Sequence, residues 1–224
     1  MLKVLTLDNR NDKRLNTLIT QLDRLGINTQ QANKQQLDKL TKNQTHQGIA
    51  AEILLPTLPN LDGLIHYVEK LSNSSLILIL DSIQDPRNLG ACLRSANAAG
   101  VDCVVINKDG SAPINALVHK TSAGALNQLK IFSVTNLSRT IKALKEHNIW
   151  VVGLDGATDQ SIYQIDLTTP TAIIMGAEGS GLRSLTKKSC DQLAMIPMQG
   201  NVESLNVSVA TGIALFEASR QRNL

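Results

Sequence analysis

Six short, unbroken apolar runs recur through the later part of the chain: Leu76 to Leu80, Cys103 to Ile106, Leu129 to Ser133, Trp150 to Leu154, Thr171 to Met175 and Leu193 to Ile196. A strand that faces water on one side alternates apolar and polar residues, whereas a strand covered on both faces does not. The runs therefore read as buried parallel strands. The segments between them have helical character: Leu89 to Ala99 closed by Gly100, Ile114 to Ser122, Leu137 to His147 behind Asn136 as a cap, Arg183 to Cys190, and Val207 to Gln221. Such alternation predicts an α/β fold with helices on both faces of a mostly parallel sheet.

The first residues have a different texture. Lys3 to Leu7 reads as a strand, Arg14 to Leu25 as a helix ended by Gly26, Ile27 to Ala32 as a strand, Lys34 to Leu40 as a short polar helix and Gly48 to Leu54 as a strand. Pro56, Pro59 and Asn60 to Gly63 break this pattern, and Ser72-Asn73-Ser74-Ser75 is rich in turn residues. The expected division is a small α/β module over 1–58, a linker over 59–75 and a large domain over 76–224. A chain of 224 residues suits one large domain with a small partner.

Net charge is only +3, but residues 1–42 hold eight cations against four anions, a local +4. A polyanion can dock on such a face, which serves equally well as a solvated surface. The five aromatic residues, Trp150, Tyr67, Tyr163, Phe132 and Phe216, are too scattered for a platform that stacks single-stranded bases. Cys92, Cys103 and Cys190 show neither disulfide pairing nor zinc-ligand spacing, and His46, His66, His119 and His147 are dispersed, so no metal is assigned. Three reduced thiols, no signal peptide and no run long enough to span a membrane suit a cytoplasmic protein.

Three clusters carry the chemistry. Gly176-Ala177-Glu178-Gly179-Ser180-Gly181-Leu182 lies between a strand and a helix, where backbone N–H groups can hold an anion or polar cofactor; a plain turn accounts for the glycines as well. Leu182 follows the last glycine without a Lys-Ser/Thr pair and Ser184 stands where a third glycine is required, so the loop is neither a Walker A nor a dinucleotide motif. Asn88 stands where it can cap the helix after the first large-domain strand, with Arg94 about one and a half turns further along it. The third cluster runs from Ile196-Pro197-Met198 to Ser204-Leu205-Asn206 and enters the last helix. There Leu205, Val209, Gly212, Ile213 and Phe216 form a stripe expected to be tightly buried, and Asn206 has helix capping as an alternative role.

Together these clusters resemble the three motifs of the SpoU branch of the SPOUT methyltransferases. The first motif is Asn88-Leu89-Gly90-Ala91-Cys92-Leu93-Arg94-Ser95-Ala96, the second Met175 to Gly181, and the third Ile196-Pro197-Met198 through Ser204-Leu205-Asn206-Val207-Ser208-Val209-Ala210. The His46-Gln47-Gly48-Ile49-Ala50 segment, with the polar module before it, resembles the L30e-like substrate domain of the bacterial 23S rRNA guanosine 2′-O-methyltransferases. Related proteins begin with an extra helical stretch before the strand that opens here at Lys3, so the small domain is expected to be shorter than theirs.

The resemblance implies a trefoil-knotted catalytic domain, S-adenosylmethionine as cofactor, 23S rRNA as partner and a homodimer packed knot against knot, with no metal and no membrane. It assigns Gly176, Glu178, Gly179, Ile196, Met198 and Leu205 to the cofactor, largely through backbone groups. Asn88, Arg94, Glu178, Ser204 and Asn206 then line the reaction centre, with Glu178 holding Arg94 or a pocket amide. Arg94 has two available roles, base or electrostatic anchor for the acceptor. An arginine is a poor base, which favours the anchor. The implied substrate is a guanosine in the P loop of domain V. The rival readings are a transfer RNA ribose methyltransferase and a non-catalytic RNA-binding ribosome-assembly factor.

Overall fold

The computed structural model describes residues 3–8, 12–55, 57–71 and 74–223, which separate into two units, Met1–Thr57 and Leu58–Leu224. In the first unit, β1 (Lys3–Leu7) pairs in parallel with β2 (Thr29–Ala32) and antiparallel with β3 (Ile49–Glu52). Helix α1 (Lys13–Arg24) starts where the Asp12 carboxylate accepts the Arg14 N–H at 2.9 Å. Helix α2 (Lys34–Leu40) starts at a reciprocal Asn33–Gln36 capping box. Leu5, Ala32 and Leu37 form the buried centre. Lys13, Arg14, Lys34 and Lys39 all stay exposed.

The second unit alternates helices and strands: α3 (Leu61–Val68), β4 (Leu76–Leu80), α4 (Pro86–Ala98), β5 (Cys103–Asn107), α5 (Ala116–Thr121), β6 (Lys130–Val134), α6 (Leu137–Glu146), β7 (Trp150–Leu154), β8 (Thr171–Met175), α7 (Ser184–Ser189), β9 (Gln192–Ala194) and α8 (Val207–Arg222). The strands pair in parallel in the order β6-β5-β4-β8-β7-β9. Both faces of the sheet are covered. Leu76, Leu78 and Leu80 pack with Leu89, Leu93 and Val118 and with Ala214, Leu215 and Ala218 of α8, while Ile77 and Ile79 pack with Leu64, Ile141 and Leu144 on the other side. That is why the strand sequences are apolar without alternation.

Four expectations change. The stretch 59–75, read as a linker, contains α3, whose Leu64 and Val68 are buried in the second unit's core; Ser72 and Asn73 lie outside the described residues. Pro59 and Asn60 mark a helix start rather than a break, because Asn60 caps α3 through the Gly63 N–H at 3.2 Å. Helix α4 begins earlier than expected, with Asp85 as cap to the Arg87 N–H at 2.7 Å and Pro86 in the first turn, which leaves the Asn88 side chain free of capping duty.

The stripe expected to be tightly buried on α8 is the fourth. Thr211, Ala214, Leu215 and Ala218 face inward, whereas Val209 and Phe216 are half exposed. The reason lies in the small residues: Gly212 comes within 3.7 Å of Ser95 Oγ at its virtual Cβ, and Cys92 Sγ meets Thr211 Oγ1 at 3.4 Å, so α8 approaches α4 closely on its small-residue side.

Candidate active site

The central strands β4 and β8 are neighbours, and from β4 the chain winds first toward β5 and β6 before returning through β7 to β8. A strand order that reverses in this way opens a crevice at the carboxyl ends of the strands, where α/β sheets bind ligands. Three segments meet there. The segment after β4 carries Asn88, the turn after β8 carries Glu178, and the approach to α8 carries Asn206.

Asn206 Nδ2 donates to Asn88 Oδ1 at 3.0 Å, and Asn88 Nδ2 donates to Glu178 Oε1 at 2.6 Å. Asn206 Oδ1 meanwhile accepts the Ser208 N–H at 2.9 Å and its Oγ at 2.6 Å, capping α8. The capping role and the site role thus coexist in one residue. Each donor in the chain has one acceptor, ending on a carboxylate, so the order Asn206, Asn88, Glu178 has a fixed polarity.

The turn that presents Glu178 is closed by Ala177 and Gly181, each donating its N–H to the other's carbonyl, at 3.1 and 2.9 Å. Gly179 and Gly181 hold left-handed backbone, φ +75° and +64°. Gly176 must be glycine for a different reason: a Cβ there would overlap the backbone of Gly181 and Leu182. Among the described residues, the N–H groups of Gly176, Ile196 and Leu205 have no hydrogen-bond partner, although Gly176 is buried and the other two are partly so. Backbone donors left open beside a close-packed turn fit a polar cofactor held through main-chain groups. Met198 is partly buried in the same segment, and Gly179 is exposed at the tip of the turn.

Arg94 is exposed on α4 and makes no hydrogen bond or ion pair with any described residue. Glu178 therefore holds the Asn88 amide and not Arg94. Ser204 is exposed and likewise unpartnered among the described residues. Cys92 lies close by on α4, but burial pushes its thiol up to about 11, which keeps it protonated and inert near neutrality. Among the described residues no group of three metal-ligating side chains is placed to hold a metal, and no helix is long and apolar enough to cross a membrane.

One group escaped the sequence reading. Asp81, at the end of β4, is fully buried and binds Arg183 and Thr186 just beyond the glycine turn. The sequence separation of 102 residues between Asp81 and Arg183 hides the pair, and an aspartate that ends an apolar strand was the available signal.

Comparison with known proteins places the chain in a family. The curated relative from Haemophilus ducreyi, 23S rRNA (guanosine-2′-O-)-methyltransferase RlmB, is 48% identical over 223 residues, covering 99% of this chain and 90% of that protein. Its counterpart from Escherichia coli is 48% identical over 221 residues with the same coverage. Among solved structures, the SpoU methyltransferase AviRb from Streptomyces viridochromogenes, in complex with AdoMet, superposes with a TM-score of 0.81 at 24% identity over 99% of this chain and 83% of its own, a likeness of fold. The TrmH/SpoU tRNA modifying enzyme of A. aeolicus matches 73% of this chain and 82% of its own, with a TM-score of 0.62 at 30% identity. Residues 1–58 match the model for RNA 2′-O ribose methyltransferase substrate binding. Residues 75–216 match the model of the SpoU rRNA Methylase family, to which this chain belongs.

Proposed function

We propose that this protein transfers a methyl group from S-adenosylmethionine to the ribose 2′-OH of a guanosine in 23S rRNA. The observation that carries this reading is the hydrogen-bonded chain from Asn206 through Asn88 to Glu178, built from all three motifs at the strand ends. The cofactor, when bound, supplies an electrophilic methyl on a sulfonium. The protein's own task is alignment and charge. Gly176, Gly179, Ile196, Met198 and Leu205, with Glu178, hold the cofactor, mainly through main-chain groups such as the open N–H donors of Gly176, Ile196 and Leu205. Asn88, Ser204 and Asn206 would orient the nucleotide with its 2′ oxygen toward the cofactor site. Arg94, exposed and unpartnered among the described residues, grips the substrate phosphate or ribose and stabilises the negative charge that develops on the 2′ oxygen, whose proton passes to solvent. A planar guanidinium with five N–H donors and no acceptor suits this anchoring role and not proton abstraction.

The substrate class follows from the first unit. The relatives named for 23S rRNA align along 99% of this chain, whereas the transfer RNA enzyme matches 73%. Exposed Lys13, Arg14, Lys34 and Lys39 on the first unit are suited to phosphate contacts, which position an RNA without reading its bases. To the same reading belong the P loop of domain V as target, a cytoplasmic homodimer, the trefoil knot and the division of labour between residues 1–58 and 76–224. Nucleoside mass spectrometry with primer-extension mapping on RNA from a strain lacking the gene tests it. The P-loop guanosine is expected to lose its 2′-O-methyl group. Unchanged methylation there, with loss at a transfer RNA position, would overturn the assignment.

A further inference from the structure

Asp81 has no solvent exposure and gathers four donors. Its Oδ1 accepts Arg183 Nε at 2.7 Å and Ser82 Oγ at 3.1 Å; its Oδ2 accepts Thr186 Oγ1 at 2.7 Å and the Arg183 N–H at 3.4 Å. Asn107, at the end of β5, extends the cluster once its amide is assigned the orientation its neighbours require: the oxygen then accepts Arg183 Nη2 at 2.6 Å and the nitrogen donates to the Leu80 carbonyl at 3.3 Å. Arg183 is the cap residue of α7 and supplies no side-chain cap of its own. From the end of β4, Asp81 accepts the Arg183 N–H and the Thr186 hydroxyl beside that helix start.

An ion pair between a fully buried carboxylate and a guanidinium that is 52% exposed, as Asp81 and Arg183 form, is weak evidence for stability on its own. The better-supported use of such a pair is to fix one arrangement among several, and the location suggests what is fixed here. The turn 177–181 is closed on itself by the paired Ala177 and Gly181 bonds, so its aim depends on its two stems. One stem, Gly176, continues β8, which is paired with β4. The other stem is Leu182 and Arg183, and Asp81 holds it to the end of β4. Glu178 sits on the turn so anchored and reaches Asn88, which the same β4 leads into.

We propose that Asp81, through Arg183 and Thr186, is the positioning residue that aims Glu178 at Asn88. The proposal rests on the methyl-transfer reading and adds to it a group that touches neither substrate nor cofactor. The test is a double-mutant cycle of Asp81→Asn and Glu178→Gln, with kcat on 23S rRNA measured alongside S-adenosylmethionine affinity by calorimetry and thermal melting. Asp81→Asn is near-isosteric and is expected to fold, with kcat lowered about tenfold or more. In the Glu178→Gln background the same change is expected to cost less than about threefold, because Glu178 has already lost its function. Arg183→Lys keeps the charge but loses the contact to Asn107, and is expected to show the same non-additivity should Asp81→Asn melt out. Equal losses in both backgrounds would mean that Asp81 supports the fold alone, and this overturns the proposal. A Glu178→Gln enzyme with full kcat overturns it too, leaving methyl transfer intact. Absence of any methyl transfer by the unsubstituted protein that binds cofactor is a failure of the functional reading and removes this proposal with it.

Discussion

Asn206 donates its side-chain amide to Asn88 Oδ1 at 3.0 Å while its own Oδ1 caps α8 through the Ser208 N–H at 2.9 Å. One residue therefore serves stability with its oxygen and the site with its nitrogen, and the two are separable. Asn206→Asp keeps the cap but leaves Asn88 between two carboxylates, with only one amide nitrogen to offer them. Melting temperature is expected to stay close to that of the parent, with turnover down about tenfold or more. Asn206→Ala, which also removes the cap, is expected to cost about 1 kcal/mol of stability in addition. A drop in stability for Asn206→Asp without a drop in turnover would reverse the assignment.

Arg94 stands apart from that chain, exposed and without a partner among the described residues. A guanidinium kept free at the site's edge is assigned to the acceptor RNA. Arg94→Ala is expected to lower turnover by orders of magnitude while S-adenosylmethionine affinity stays within a few-fold of a micromolar Kd, about −8 kcal/mol. Calorimetry beside single-turnover kinetics checks this. A large loss of cofactor binding would move Arg94 to the donor pocket.

The strands were legible because a parallel sheet covered on both faces imprints its burial as unbroken apolar runs such as Leu76 to Leu80. Helix faces were less so. Along α8 small and apolar residues occur on every side, and even Glu217 is buried, so hydropathy alone assigned the inward face to Val209 and Phe216. Helix α3 was hidden by its own start signals, Pro59 and Asn60, which read equally as a break. Asn88 and Asn206 were visible as residues, yet their contact joins positions 118 apart and depends on Asp85 taking over the cap of α4. Leu64 of α3 offers a direct check. It is fully buried, and Leu64→Ala is expected to destabilise the second unit by about 2–5 kcal/mol in denaturant unfolding, where a linker residue would cost almost nothing.

Three carboxylates are held below the ordinary carboxylate range: exposed Asp166, by hydrogen bonds from Thr168, and the more enclosed Asp155 and Glu217. Burial raises Asp155, but the Lys187 ammonium at 2.6 Å and the Ala157 N–H outweigh it. Glu217 is lowered chiefly by its hydrogen bonds from Arg220, two contacts of 2.9 Å, against the opposing effect of burial. A carboxylate whose folded pKa is depressed contributes stability above its unfolded value, about 4, and loses it as pH falls through the folded value. Denaturant midpoints are therefore expected to fall as pH drops from about 5 toward 2. In Asp155→Asn and Glu217→Gln that slope is expected to be shallower. An unchanged slope in both variants would place the acid sensitivity elsewhere.

Val209 and Phe216 are 50% and 52% exposed on α8, seven residues and two turns apart, with the partly buried Ile213 between them. This apolar face is available to a second copy because Ala214, Leu215 and Ala218 on the opposite side of α8 already settle against the core. Covering the remaining half of a side chain of this size contributes about 1 kcal/mol, half of what full burial gives, and two such residues from each of two copies form the centre of an interface. The protein is expected to be a homodimer at micromolar concentration by light scattering. Phe216→Glu is expected to shift it to monomer without lowering its melting temperature in proportion, since the substituted face is not part of the monomer's core. Turnover is expected to fall with dissociation if each reaction centre sits beside that interface. A parent protein that scatters as a monomer at the same concentration would remove the dimer from the functional reading.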